Sequence, residues 1–156
     1  MVQVLAAGFD DEGVPWIVME HLRGEDLSHA LKRRGAFPPA EALEVFRQLG
    51  HALAAAHRAG LVHRDLKPDN VFLCVPRREG VPFTVKLLDF GIAHLLDDDV
   101  DSSEGPLGTP LWMAPEQASI GAQITPASDV WSLGLIAFLG ALIAPFLACL
   151  HLSFFL

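Results

Sequence analysis

The residues best equipped for chemistry lie in one stretch, His63-Arg64-Asp65-Leu66-Lys67-Pro68-Asp69-Asn70, and Asp89-Phe90-Gly91 follows nineteen positions after Asn70. Asp65 is a carboxylate able to accept a hydroxyl proton. Lys67, two residues on, is a cation able to neutralise a phosphate in transfer. Asn70 and Asp89 are oxygen donors of the kind Mg²⁺ selects, an ion that binds through one or two carboxylates plus substrate phosphates. A base, a cation and a pair of hard oxygen ligands are what phosphoryl transfer needs, because that reaction is catalysed by positioning and charge neutralisation.

Such a set works only if rigid elements hold it. The pattern predicts strands over 2–7 and 15–20, joined by an acidic, Gly-containing turn at Phe9-Asp10-Asp11-Glu12-Gly13. A break at His21-Leu22-Arg23-Gly24 precedes a short helix over 26–34, with Arg33 and Arg34 at its C-terminal end and Gly35 as its stop. Pro38 and Pro39 open a long helix over 40–59, whose buried stripe is predicted to run through Leu43, Phe46, Leu49 or Gly50, and Leu53. Gly60 ends it and Leu61-Val62 enters the His63 loop. Strands over 71–73 and 85–88 leave Asn70 and feed Asp89, so both loops sit at the ends of one hairpin. From Ile92 to Trp112 the chain reads as an acidic loop, and Asp129-Val130-Trp131-Ser132-Leu133-Gly134 opens a hydrophobic segment.

A length of 156 residues suits one domain with a sizeable core. The net charge of −8 excludes a nucleic-acid-binding surface, which would be basic. All eleven Lys and Arg fall between Arg23 and Lys86. Cys74 and Cys149 form no metal-ligand spacing and read as buried thiols of a reducing cytoplasm. His51 and His57 are six apart, off the spacing of a helical zinc pair, and read as ordinary helix residues. The stretch from Leu133 to Leu156 lacks Asp, Glu, Lys and Arg, and its length and apolarity make it a candidate membrane span. Pro145, His151 and the lack of flanking cations argue against that assignment.

With HRDLKPDN, LLDFG, GTPLWMAPEQ and DVWSLG in this order, the chain resembles the bacterial protein serine/threonine kinases over 2–141. The resemblance implies an α+β, protein-kinase-like fold: a mostly helical large lobe with a hinge and part of the small-lobe sheet. It implies transfer of the ATP γ-phosphate, with Mg²⁺, to a Ser or Thr of a protein substrate. Asp65 is then the base, or the orienter of the substrate hydroxyl, and Lys67 contacts the transferred phosphate. Asn70 and Asp89 hold Mg²⁺ against the nucleotide phosphates. Met19 is the gatekeeper, Glu20 to Leu22 form the hinge that meets adenine, and Phe72 packs beneath the base. Thr109 seats the substrate residue near Asp65 and Lys67, and Asp129 braces the catalytic loop. His63 and Phe90, beside Gly91, stack in a buried column. Arg64 pairs with a phosphate on the activation loop, with Ser102 and Ser103 as acceptors. That loop holds no Lys or Arg and five acidic residues, which would repel an added phosphate, so an aspartate standing in for it is the alternative reading.

Departures from the family pattern set further expectations. Residues 1–22 contain no lysine, and Gly8 and Gly13 form no Gly-rich loop, so the family's ATP-anchoring lysine and phosphate roof have no counterpart here. The domain reads as truncated at both ends, with an apolar tail over 142–156 outside the pattern, and the 156 residues alone are expected to be weak or inactive. Glu116, whose family partner is a downstream arginine, has no basic residue after it and is expected to be left without a cation or protonated. Two other readings stay open: a non-catalytic kinase-like binding fragment, and a short protein tethered to a membrane through 133–156.

Overall fold

The computed structural model describes residues 1–76, 80–90, 110–119 and 121–138. Strands β1 (Val4–Phe9) and β2 (Pro15–Met19) form an antiparallel pair. Their turn is organised by Asp10, whose carboxylate accepts from the backbone N–H groups of Glu12 at 3.0 Å and Val14 at 2.8 Å. A three-stranded sheet follows, in which β3 (Gly24–Asp26), β4 (Val71–Cys74) and β5 (Thr84–Leu87) run in that spatial order, antiparallel throughout. The sequence reading placed a break at Arg23-Gly24, whereas the structure begins a strand there. Gly24 explains it. With φ at 145° it pairs with Cys74, and a Cβ would lie 2.0 Å from the Leu73 carbonyl oxygen, so only glycine admits so close an approach.

Helix α1 (Leu27–Arg34) starts on Asp26, whose carboxylate accepts from the His29 N–H at 2.8 Å, and stops at Gly35. Helix α2 (Pro39–Arg58) is the spine of the molecule. Its end is a Schellman motif: Leu61 N–H reaches the Ala56 carbonyl and Gly60 N–H the His57 carbonyl, each at 3.0 Å. That geometry turns the chain sharply into the stretch from His63 to Asn70. Its buried stripe is Ala42, Val45, Leu49, Leu53 and Ala56, steps of 3, 4, 4 and 3. The predicted stripe was out of phase at its start, because Leu43 is 70 % exposed. Two of the five buried positions, Ala42 and Ala56, hold small residues that a search for large apolar side chains misses.

The core joins Leu27 and Ala30 of α1 and Val45, Leu49 and Leu53 of α2 to Leu66, Val71 and Leu87 around the loop, and to Ile136 of α3 (Pro126–Ala137). Gln48 fastens α2 to the sheet, accepting from Val85 N–H at 2.7 Å and donating to the Phe83 carbonyl at 3.2 Å. Leu133 packs against the core and Ile136 lies within it, so one face of this start of the apolar segment is covered by protein. Among the described residues, no helix is long and apolar enough to cross a membrane. Residues 139–156 lie outside them. This mix of small sheets and packed helices is the α+β arrangement expected from the sequence.

Candidate active site

The stretch from His63 to Asn70 is a loop with one turn of 3₁₀ helix, Pro68–Asn70, set between α2 and β4. Three predicted residues converge in it. Lys67 Nζ lies 2.7 Å from Asp65 Oδ2, and Asn70 Nδ2 donates to the same oxygen at 3.1 Å and to the Asp65 carbonyl at 2.8 Å. Among the described residues both side-chain bonds fall on Oδ2, and Oδ1 is the oxygen suited to accept a hydroxyl proton. The Asn70 amide nitrogen is spent on Asp65, so its carbonyl oxygen is the end left to meet a cation.

Asp89 reaches this site through the hairpin. Val71 pairs with Leu87, and the Leu88 N–H extends the ladder to the Asn70 carbonyl at 2.9 Å. Asn70 immediately precedes β4, and Asp89 lies two residues beyond β5, at the same end of the pair. Asp89 has φ at 46°, a left-handed backbone uncommon for a residue with a side chain and often found at functional sites. Among the described residues, no group of three or more His, Cys, Asp or Glu could hold a metal. An Asn–Asp pair nevertheless fits Mg²⁺, which demands few protein ligands and keeps water and phosphate oxygens.

The loop is braced from below by Asp129, which is 1 % exposed. Its Oδ1 accepts from Arg64 N–H at 3.0 Å, and its Oδ2 accepts from His63 N–H at 2.9 Å. His57 Nε2 meets Oδ2 as well, at 2.7 Å. The sequence reading treated His57 as an ordinary helix residue, but it is part of this brace. Its partner lies 72 positions away in the chain, so no local spacing could announce the contact. Arg64 has φ at 67°, and the brace holds that unfavourable backbone in place. His63 is fully buried, stacks on Phe90 with ring centroids 4.6 Å apart, and its Nε2 lies 2.9 Å from the Leu88 carbonyl. Burial pushes the His63 pKa down, against the opposing pull of the Asp129 charge and the Leu88 carbonyl, so the ring is held neutral with Nε2–H as donor.

On the opposite side, Met19 ends β2, and Glu20, His21 and Leu22 form the connection into β3. Glu20 makes an ion pair with Lys86 of β5, and its carboxylate accepts from Gln3 N–H at 2.8 Å. Phe72 is the register partner of Lys86, on the sheet face away from the core residues Val71 and Leu73. Through Glu20, the connection and Phe72 therefore border one face of the same hairpin. Lys86 was not singled out from the sequence, although it is the last basic residue of the chain.

Glu116 corrects an expectation. It lies on the 3₁₀ turn Pro115–Ala118, where the Ser128 hydroxyl donates to its Oε1 at 2.6 Å. That bond, with a backbone hydrogen bond, holds its pKa below the usual carboxylate value. Partly exposed and bonded to a hydroxyl, the group needs no cation to remain ionised. Gly91, Thr109 and the acidic loop with Ser102 and Ser103 lie outside the described residues.

Comparison with known proteins agrees with this geometry. The family model for the protein kinase domain matches residues 2–147. A serine/threonine-protein kinase of Corynebacterium efficiens is 44 % identical over 124 residues, covering 79 % of this chain and 22 % of the relative. The serine/threonine-protein kinase PknA of Mycobacterium tuberculosis is also 44 % identical over 124 residues, covering 79 % of this chain and 27 % of its own length. The serine/threonine-protein kinase pkn2 of Myxococcus xanthus is 43 % identical over 126 residues, 78 % of this chain and 15 % of the relative. The chain belongs to the protein kinase domain family, and it spans between 15 % and 27 % of the length of these relatives.

Proposed function

We propose that this chain carries the large-lobe chemistry of a protein serine/threonine kinase. The observation that carries the reading is the convergence of Lys67 and Asn70 on Oδ2 of Asp65, which leaves Oδ1 for an incoming hydroxyl. A substrate serine or threonine oxygen attacks the γ-phosphorus of ATP while its proton passes to Asp65. The bond from the γ-phosphorus to the bridging oxygen breaks, and ADP departs. Lys67 swings from Asp65 toward the phosphoryl oxygens and neutralises their charge. Mg²⁺, when bound by Asn70 and Asp89, supplies charge neutralisation on the nucleotide phosphates. The Met19–Leu22 connection and Phe72 hold the adenine. An ATP-dependent reaction and a buried Cys74 fit a cytoplasmic location.

The 156 residues by themselves transfer phosphate slowly, since residues 1–22 offer no lysine to the nucleotide. The test is a thermal-shift titration of the chain with Mg-ATP, paired with γ-phosphate transfer to a mixed Ser/Thr protein substrate. The expected result is a small stabilisation at high nucleotide, lost in Asp89→Ala, and slow transfer lost in Asp65→Asn. No shift at any Mg-ATP concentration would overturn the reading.

A further inference from the structure

We propose that Gln117 is a positioning residue for Asp65, closing a ring of hydrogen bonds that couples the segment before α3 to the catalytic loop. The inference rests on the phosphoryl-transfer reading above and adds a residue and a regulatory path to that site. Gln117 Nε2 donates to the Arg64 carbonyl at 2.6 Å, across 53 residues of chain. The same amide accepts from Ala114 N–H through Oε1 at 3.0 Å, which fixes which end points at the loop.

The peptide unit that Gln117 grips is the one joining Arg64 to Asp65. Its carbonyl belongs to a residue at φ 67°, and its N–H is that of Asp65. The preceding peptide is held by Asp129 through the Arg64 N–H at 3.0 Å. Arg64 is thus clamped at both ends, and the rotation that would carry Asp65 out of place is opposed at its carbonyl by Gln117. The Asp65 side chain has its own supports in Lys67 and Asn70, so Gln117 acts on the backbone beneath them.

The ring closes through neighbouring residues. Asp129 and Ser128 are adjacent on α3, Ser128 bonds Glu116 at 2.6 Å, and Glu116 is adjacent to Gln117. Ser132, one helical turn along α3, donates to the Trp112 carbonyl at 2.7 Å and draws the 110–112 turn onto the same helix. A displacement of the 110–119 segment therefore cannot leave the Arg64 carbonyl unaffected. Whatever seats or releases that segment, a bound protein substrate included, adjusts the pose of Asp65.

Two substitutions separate the halves of the amide. Gln117→Glu keeps the acceptor for Ala114 and removes the donor to Arg64. Gln117→Lys keeps a donor for Arg64 and removes the acceptor. The direct readout is the carbonyl ¹³C resonance of Arg64 in the labelled chain, which reports its hydrogen bond whether or not the chain turns over. Phosphate transfer, resolved into kcat and KM for nucleotide, is the second readout. The expected result is a shifted Arg64 carbonyl and a roughly tenfold lower kcat in the Glu variant, with KM for ATP unchanged and the Lys variant close to the parent. An unmoved Arg64 carbonyl in the Glu variant overturns the proposal, as does equal impairment of both variants. Parent transfer no higher than that of Asp65→Asn would sink the kinase reading instead, and the carbonyl resonance would still decide the role of Gln117.

Discussion

Asp129→Asn is the most informative single change to the brace under the His63–Asn70 loop. The carboxylate takes Arg64 N–H on Oδ1, and His63 N–H and His57 Nε2 on Oδ2, at 3.0, 2.9 and 2.7 Å. Asparagine offers one acceptor oxygen. Placed at Oδ2 it keeps two of the three contacts and sets its NH₂ against the Arg64 N–H, donor to donor. The cost is one charge-assisted bond plus a buried donor without a partner, together ~2–3 kcal/mol. The reverse orientation breaks two contacts and costs more. Asp129→Ala would remove all three and open a void, ~4–6 kcal/mol, comparable with the whole stability of a small domain. It is therefore expected to unfold and to report nothing about the loop. Urea unfolding followed by tryptophan fluorescence should show the Asn midpoint lowered by about 1–2 M, given urea slopes of ~1–3 kcal/mol/M. Amide exchange should accelerate at Arg64 more than at His63. A midpoint within about 0.3 M of the parent, with Arg64 protection intact, would refute the account of the brace.

Other expected outcomes follow from named contacts. Gln48→Leu leaves the Val85 N–H and Phe83 carbonyl without their partner and should lower the melting temperature by about 5–10 °C, read by calorimetry. Leu49→Ala, at a fully buried position, should cost ~3–5 kcal/mol in urea unfolding, whereas Leu43→Ala, on the exposed face, should stay within ~0.5 kcal/mol. His63 has its folded pKa lowered by burial, so its contribution to stability is complete above the unfolded value of about 6.5 and is lost as pH falls toward the folded value. His63→Phe keeps a ring against Phe90, and its stability should fall less than the parent's between pH 6.5 and 5. Parallel pH profiles for the two proteins would contradict this.

The parts of the fold legible in sequence are those written in neighbouring residues. Gly35 after a helical run marks the end of α1, and Pro39 with Gly60 frames α2. The clustering of Asp65, Lys67 and Asn70 was legible because one loop and a single 3₁₀ turn bring them together. Of the contacts that join distant parts of the chain, the Asp129 brace was expected only from the family resemblance, and three others were not legible. His57 to Asp129 spans 72 positions, Gln117 to Arg64 spans 53, and Glu20 to Lys86 spans 66. Each of these residues also suits an exposed helix, turn or strand, so residue type alone carries no signal. The phase of α2 was misread for a related reason. Ala42 and Ala56 are buried while Leu43 is exposed, and which face of a helix is covered is a tertiary fact.

Glu116 shows how such a tertiary contact can reverse an electrostatic argument. The absence of any basic residue after Lys86 made a stranded or protonated carboxylate the reasonable expectation, since a buried charge without a partner is costly. That reasoning assumed burial. In the structure Glu116 is partly exposed and receives a hydroxyl hydrogen bond, so the desolvation cost is small and the ionised form is favoured. The link between the 115–118 turn and α3 therefore runs through Ser128, and it depends on a short neutral donor rather than on a long cation. Ser128→Ala should release it. The pKa of Glu116, followed by carboxyl ¹³C titration, should then rise toward the ordinary value of 4.5, since Ser128 is the largest cause of its depression. A Glu116 titration unchanged by the substitution would show that the backbone hydrogen bond, rather than Ser128, keeps the carboxylate ionised.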